Sequence, residues 1–169
     1  MSIGAAAWRG YGSAAMLVLP DPPDSLPPAP RAFYDGIRTV VGELRPADID
    51  AERVEVDFGD GGVAITFPHA REPEWTLAAQ VSRRAAVVFA GPITEHFDDA
   101  PGEDWTAPAV DLVARILRGE VEVPVVLRGD TIVRVGAERV WSPGALALWR
   151  PARVEVIRMD FGARPTPGG

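Results

Sequence analysis

Two histidines and a group of carboxylates are the residues of this chain whose types could do chemistry. The histidines lie in one stretch, 46–104, and carboxylates stand close to each of them. The candidate polar cluster consists of His69, Glu72, Glu74, Glu95, His96, Asp98 and Asp99. Imidazole and carboxylate groups together can bind zinc, manganese or non-haem iron, and a histidine can serve as a general base.

The spacing of these residues does not require such a site. Twenty-seven positions separate His69 from His96, and the chain contains no H-x-H, H-E-x-x-H or H-x-x-x-H pattern. A metal site also needs two or three ligands that converge at roughly 2.0–2.2 Å. The sequence therefore favours ordinary loop histidines beside a solvated acidic rim, with no metal or other cofactor. A metal held by the two histidines stays open as the alternative.

Composition excludes several other chemistries. The chain has no cysteine and no lysine, so thiol catalysis, zinc–thiolate sites, Schiff-base lysines and P-loop lysines are impossible. None of its serines lies in a G-x-S-x-G pattern. The sequence therefore leans away from an enzyme without deciding the question.

The net charge is concentrated in the same stretch as the histidines. Residues 46–104 hold thirteen acidic residues against four arginines, whereas the whole chain carries a formal charge of −7. Nucleic-acid binding needs a basic face that neutralises phosphates, so nucleic acid is not an expected partner. An acidic surface instead suits a basic protein partner.

A second candidate contact surface lies near the C-terminus. Two tryptophans flank an uncharged apolar segment there, and the candidate interface residues are Trp141, Leu146, Leu148 and Trp149. Such a segment can cover the core of its own domain. It can also form an exposed patch that meets another chain, including a second copy in a homo-oligomer.

Helical periodicity marks two segments that would support these sites. Apolar residues recur at helical spacing over 31–44 and again over about 107–118. Asp104 or Thr106 can cap the start of the second helix, and Gly119 suits the position just after its last turn.

Alternating apolar and polar residues predict paired strands around the helices. The predicted strands are 54–58, 63–67, 75–81, 85–90, 121–127 and 131–135, with shorter ones at 137–141 and 154–159. Gly91 and Pro92 are interpreted as an interruption or bulge that 93–97 continues. Hairpin-length connections favour antiparallel pairing. The predicted fold class is α+β, with a largely antiparallel sheet of five to seven strands packed against two helices.

This arrangement would place the polar cluster at one end of the sheet. In an antiparallel meander, the strands ending near positions 67 and 90 finish at the same end. His69 and the acids after it would then approach His96 and its neighbouring acids.

The length of 169 residues predicts one domain. Residues 1–30 form an N-terminal segment with a proline-rich linker, 31–161 the α+β domain, and 162–169 a flexible tail. The chain contains no apolar run of membrane-spanning length, and its N-terminus lacks the basic region of a signal peptide. A cytoplasmic protein without membrane contact is the expectation.

No motif names a reaction. The favoured hypothesis is a non-enzymatic protein-binding module of a bacterium with a GC-rich genome, contacting its partner through the acidic stretch or the tryptophan segment. Inhibitor and immunity proteins are one class that works through acidic surfaces. The alternatives are a small metal-dependent hydrolase with a histidine–carboxylate site and a small-ligand-binding domain.

Overall fold

A computed structural model of the chain describes residues 17–44, 46–72, 75–98, 104–128, 131–135, 138–139, 152–158 and 160–162. The predicted tail, apart from Gly162, and the first sixteen residues lie outside these ranges. The described ranges contain two α-helices, a short 3-10 helix at Ala51–Arg53 and nine β-strands. None of these helices is both long enough and apolar enough to cross a bilayer.

The first helix, α1, spans Pro28–Leu44 and ends where the sequence predicts. It begins three residues earlier than predicted, because prolines are favourable in a first helical turn, whose N–H groups have no intrahelical partner. The buried face of α1 consists of Pro30, Phe33, Tyr34, Ile37, Val41 and Leu44.

The second helix, α2, spans Thr106–Leu117. The Asp104 carboxylate accepts a hydrogen bond from the Thr106 backbone N–H at 2.9 Å, which satisfies one free donor of the first turn. Gly119 takes a left-handed φ of +68° just past the last turn and donates its N–H to Ile116 at 3.0 Å. The signal predicted at the end of α2 is confirmed, whereas at its start the N-cap position is Trp105, and Asp104 bonds the first turn from one residue further out.

Five strands form an antiparallel meander in chain order. They are β1 (Glu55–Gly59), β2 (Gly62–Pro68), β3 (Thr76–Val81), β4 (Ala85–Ala90) and β5 (Ile93–Asp98). Asp60 and Gly61 join β1 to β2 with positive φ angles of 38° and 77°, as a two-residue hairpin turn requires. The predicted antiparallel sheet is therefore confirmed, with the two helices packed against it.

The later strands form a separate sheet instead of extending the first. They are β6 (Glu122–Arg128), β7 (Thr131–Val135), β8 (Glu138–Arg139) and β9 (Ala152–Arg158). Their order in space is β8, β7, β6, β9, and each pairing is antiparallel. We refer to this four-stranded sheet as the second sheet.

The main core lies between the helices and one face of the five-stranded sheet. Alternate residues of β2, β3 and β4 are buried there against the apolar faces of α1 and α2. Tyr34 of α1 packs edge-to-face on Phe58 of β1, with ring centroids 5.0 Å apart. Gly36 lets the helices approach closely, because a Cβ there would lie only 2.9 Å from a methyl group of Val110.

The described part of the proline-rich segment packs against this core. Leu19 and Leu26 are buried, and the Tyr34 hydroxyl donates a hydrogen bond to the carbonyl oxygen of Pro20 at 2.8 Å. The Arg38 guanidinium pairs with Asp21, also at 2.8 Å. Residues 17–27 therefore lie along α1.

Candidate functional site

His69 is buried and hydrogen-bonded through both ring nitrogens. His69 directly follows the last residue of β2 and is 6% exposed. Nδ1 lies 3.2 Å from the backbone nitrogen of Arg71 and 3.1 Å from that of Glu72. Nε2 lies 3.1 Å from the carbonyl oxygen of Asp160.

These partners fix the tautomer of His69. Backbone N–H groups can only donate, so Nδ1 accepts from Arg71 and Glu72, whereas the Asp160 carbonyl can only accept, so Nε2 carries the proton. The ring is therefore a neutral imidazole with no lone pair left for a metal ion or a substrate proton. In this conformation His69 acts as a structural residue.

The contacts at and beside His69 join residues 46–50, 68–75 and 160–162 of the chain. Its backbone N–H donates to the Trp75 carbonyl at 2.9 Å, and its ring packs on the Phe161 ring with centroids 5.1 Å apart. Next to it, the Asp48 backbone N–H donates to the Phe161 carbonyl at 3.0 Å, and the Asp48 carboxylate pairs with Arg71 at 2.8 Å. The histidine thus anchors residues 160–162, which follow the second sheet, onto the end of the first sheet.

His96 occupies a different part of the sheet. It lies on β5 opposite Val87 and is exposed. Strands β3 and β4 separate it from the strand that leads into His69. Because neighbouring strands are about 4.8 Å apart, the lateral separation alone is roughly 14 Å. The two histidines do not converge on one ligand position.

The predicted polar cluster is dispersed because β5 reverses direction. Gly91, with φ +52°, and Pro92 form a hairpin turn between β4 and β5 instead of interrupting one strand. The ends of β2 and β4 do lie at the same end of the sheet, as expected. However, β5 runs back from that end and carries Asp98 to the opposite end, beside Ala85.

The other described residues of the predicted polar cluster do not bring the two histidines into one site. Glu72 is exposed in the loop after His69, and Glu95 is exposed opposite Val88. Glu74 and Asp99 lie outside the described residues, as do Trp141, Leu146, Leu148 and Trp149 of the candidate interface. Among described residues, no group of three or more histidine or carboxylate side chains could hold a metal ion.

A more extended candidate is the face of the five-stranded sheet that points away from the helices, which we call the outer face. Strand register places Asp57, Ala64, Gln80, Val87 and His96 in one row across all five strands. The neighbouring row consists of Glu55, Thr66, Ala78, Phe89 and Thr94. No arginine occurs in either row.

The outer face has an uncharged centre and acidic edges. Ala64, Ala78, Val87 and Phe89 are half-buried, and they form its centre with Thr66. The acidic residues are exposed at the two edge strands and the first turn: Glu55, Asp57, Asp60 and Asp98. A less polar centre within a charged rim is the usual organisation of a protein–protein contact surface.

A shallow, open depression of about 440 Å³ lies at the turn end of the outer face. Asp57 and Asp60 line it together with Gln80 and Ser82, and its floor is made of small residues such as Ala64. A small-molecule site normally encloses most of its ligand. This depression is instead open enough to receive a side chain projecting from another macromolecule.

The carboxylates of the outer face have no arginine partner within the described chain. Other acids of the stretch are paired locally, for example Asp48 with Arg71 and Asp50 with Arg53. Arg83 lies in the turn beside the depression, and its Nε would lie 3.1 Å from a Cβ on Gly61. Among the described residues, the carboxylates at the edges of the outer face are therefore not paired with an arginine.

The comparisons with known proteins give no assignment. No protein-family model, curated protein or solved structure matches the chain. The function must therefore be argued from the geometry of the described residues.

Of the acids of the outer face, Asp98 belonged to the predicted polar cluster, whereas Glu55, Asp57 and Asp60 were not selected from sequence, although a signal for the first two was present. Glu55 and Asp57 alternate with Val56 and Phe58, and a period of two places alternate residues on opposite sheet faces. That pattern could have separated an acidic outer face from an apolar inner one.

Proposed function

We propose that the protein is a non-enzymatic binding module that receives a basic protein partner on its outer face, in the manner of inhibitor or immunity proteins. The observation that carries this proposal is the arrangement of carboxylates, without an arginine partner among the described residues, around an uncharged sheet centre. Arginine or lysine side chains of the partner would meet Asp57 and Asp60 in the depression. Less polar parts of the partner would cover Val87 and Phe89.

Charge complementarity would contribute mostly to recognition and to the rate of association. Exposed rim charges attract an oppositely charged partner over a distance and disfavour acidic partners, whereas each exposed pair adds little binding energy. The half-buried aromatic residue at the centre, Phe89, supplies apolar area that a contacting protein can bury.

The enzyme alternative receives no support from the two histidines. His69 is committed to backbone partners on both ring nitrogens, and His96 stands apart on the exposed outer face. In the proposed function His96 is a rim residue, and His69 holds the C-terminal segment in place.

Site-specific photo-cross-linking in the native host tests this proposal. A benzophenone amino acid at Phe89 would lie in the centre of the outer face, and the same group at Arg115, exposed on α2, is the matched control. We expect a specific adduct from the Phe89 position with a basic protein and none from the Arg115 position. An adduct pattern shared by both positions, or an acidic partner, would contradict the proposal.

A further inference from the structure

One of the two edge strands of the second sheet, β9, carries an unusual pattern of exposure. β9 pairs with β6 on one side, and no described strand pairs with its other side. Six of its seven residues are exposed, and Ile157 alone is half-buried. Val154 and Val156, on one face of the strand, are 70% and 59% exposed.

Proteins usually protect such an edge from pairing with another chain. Common devices are like charges, prolines, bulges or a covering segment. The charges on β9 have opposite signs instead. Arg153 and Glu155 lie on the same face, with Arg153 Nε 2.9 Å from a Glu155 carboxylate oxygen, and both side chains are at least half exposed. An edge of this kind does not repel a copy of itself.

We infer that β9 pairs with β9 of a second copy of this chain, in an antiparallel arrangement centred on Val154. In that register Val154 faces its own copy, and Ala152 faces Val156 twice by symmetry. Arg153 of each copy faces Glu155 of the other, which forms two cross-strand ion pairs. Over residues 152–156 both faces of the strand are therefore complementary to themselves, as a twofold symmetric interface requires.

Neighbouring registers are less favourable. Centring the pair on Glu155 would place two glutamates directly opposite each other, and like charges in that position destabilise a strand pair. Centring it on Val156 would place Glu155 opposite Ile157 and Val154 opposite Arg158. The Val154-centred register is the one of these three that matches apolar with apolar residues and opposite with opposite charges.

The inferred contact does not depend on the proposed function. It uses an edge strand of the second sheet and no residue of the outer face, and it would join two second sheets into one continuous eight-stranded sheet. Because an edge-to-edge contact covers little side-chain area, we expect a concentration-dependent dimer and not an obligate one. Each dimer would present two outer faces.

Sedimentation analysis of the full chain over a range of concentrations tests this inference. We expect a monomer–dimer equilibrium that Arg153→Glu and Glu155→Arg each weaken by about tenfold or more, since either change places like charges in both cross-strand pairs. The double variant Arg153→Glu/Glu155→Arg should restore the dimer. An equimolar mixture of the two single variants should form a mixed dimer, because their charges are complementary.

Glu55→Arg, an exposed charge reversal on the outer face, is the matched control and should leave the dimer unchanged. Glu55→Arg should weaken binding of the basic partner if the proposed function is correct. The binding proposal and the dimer proposal can therefore fail separately. A chain that stays monomeric at every concentration would overturn the inference. A dimer whose dissociation constant is unchanged by Arg153→Glu and by Glu155→Arg would also overturn the inference. The same holds if neither the double variant nor the mixture of single variants restores the dimer.

Discussion

The Nε2 atom of His69 lies 3.1 Å from the carbonyl oxygen of Asp160, although ninety-one positions separate the two residues in the chain. This hydrogen bond ties the segment that leaves the second sheet to the end of β2 in the first sheet. A histidine that invites a catalytic interpretation from its type is thus used to join two parts of the fold.

We predict that His69→Ala lowers the free energy of unfolding by about 3 kcal/mol, because it leaves two backbone N–H groups and one carbonyl without their partner and opens a buried space. The matched control is His96→Ala, which removes an exposed imidazole and should change stability by less than about 0.5 kcal/mol. Urea denaturation of both variants measures the difference. Equal, small effects would contradict the structural role of His69.

The two glycines of α1 should respond oppositely to alanine. No atom lies within 4 Å of the place that a Cβ on Gly42 would take, so Gly42→Ala should stabilise the protein by up to about 1 kcal/mol through helix propensity. At Gly36 the added Cβ would meet a Val110 methyl at 2.9 Å, so Gly36→Ala should be destabilising. Thermal denaturation of both variants checks the pair. Stabilisation by Gly36→Ala would show that α1 and α2 are not in close contact.

Tyr34 should ionise late. Burial raises the pKa of its phenol to about 12, and the hydroxyl donates to Pro20 in the folded state. Because this is higher than the pKa of about 10 expected in the unfolded chain, the associated stability is present below pH 10 and is lost as the pH rises toward 12. Tyrosinate absorbance in a Tyr11→Phe background, followed together with circular dichroism, measures the titration. Ionisation near pH 10 in a chain that is still folded would contradict the burial of Tyr34.

The stability that the Asp104 carboxylate contributes at the start of α2 should be lost in acid. Hydrogen bonds from the Thr106 hydroxyl and backbone lower the pKa of Asp104. A lowered pKa in the folded state means that the stability is present above the unfolded pKa and is lost as the pH falls through the folded one. Asp104→Ala should therefore destabilise the protein at neutral pH more than the control Asp111→Ala does, and this difference should vanish in strong acid. A difference that persists in acid would rule out the carboxylate as its cause.

Local patterns in the sequence predicted the elements and their pairing well. Period-two alternation marked β1 to β4, and the Asp60–Gly61 turn follows from residues that tolerate positive φ. Gly119 likewise predicted the end of α2. These features depend on neighbours within a few residues, which the sequence states directly.

The site could not be assembled from the same information. The burial of His69 depends on Asp160 and Phe161, which no local pattern connects to it. The direction of β5 depended on whether Gly91 and Pro92 form a bulge or a turn, since both fit the same residues. That choice decided whether His96 and Asp98 would approach His69 or run away from it.

The most direct test of the central claim is the dissociation constant of the basic partner captured at Phe89, measured for the wild type and for Glu55→Gln/Asp57→Asn. These substitutions remove two carboxylates of the outer face and keep the size of their side chains. We predict weaker binding and a reduced dependence of affinity on salt, with the larger effect on the association rate. An unchanged dissociation constant and an unchanged salt dependence would contradict the acidic outer face as the binding surface.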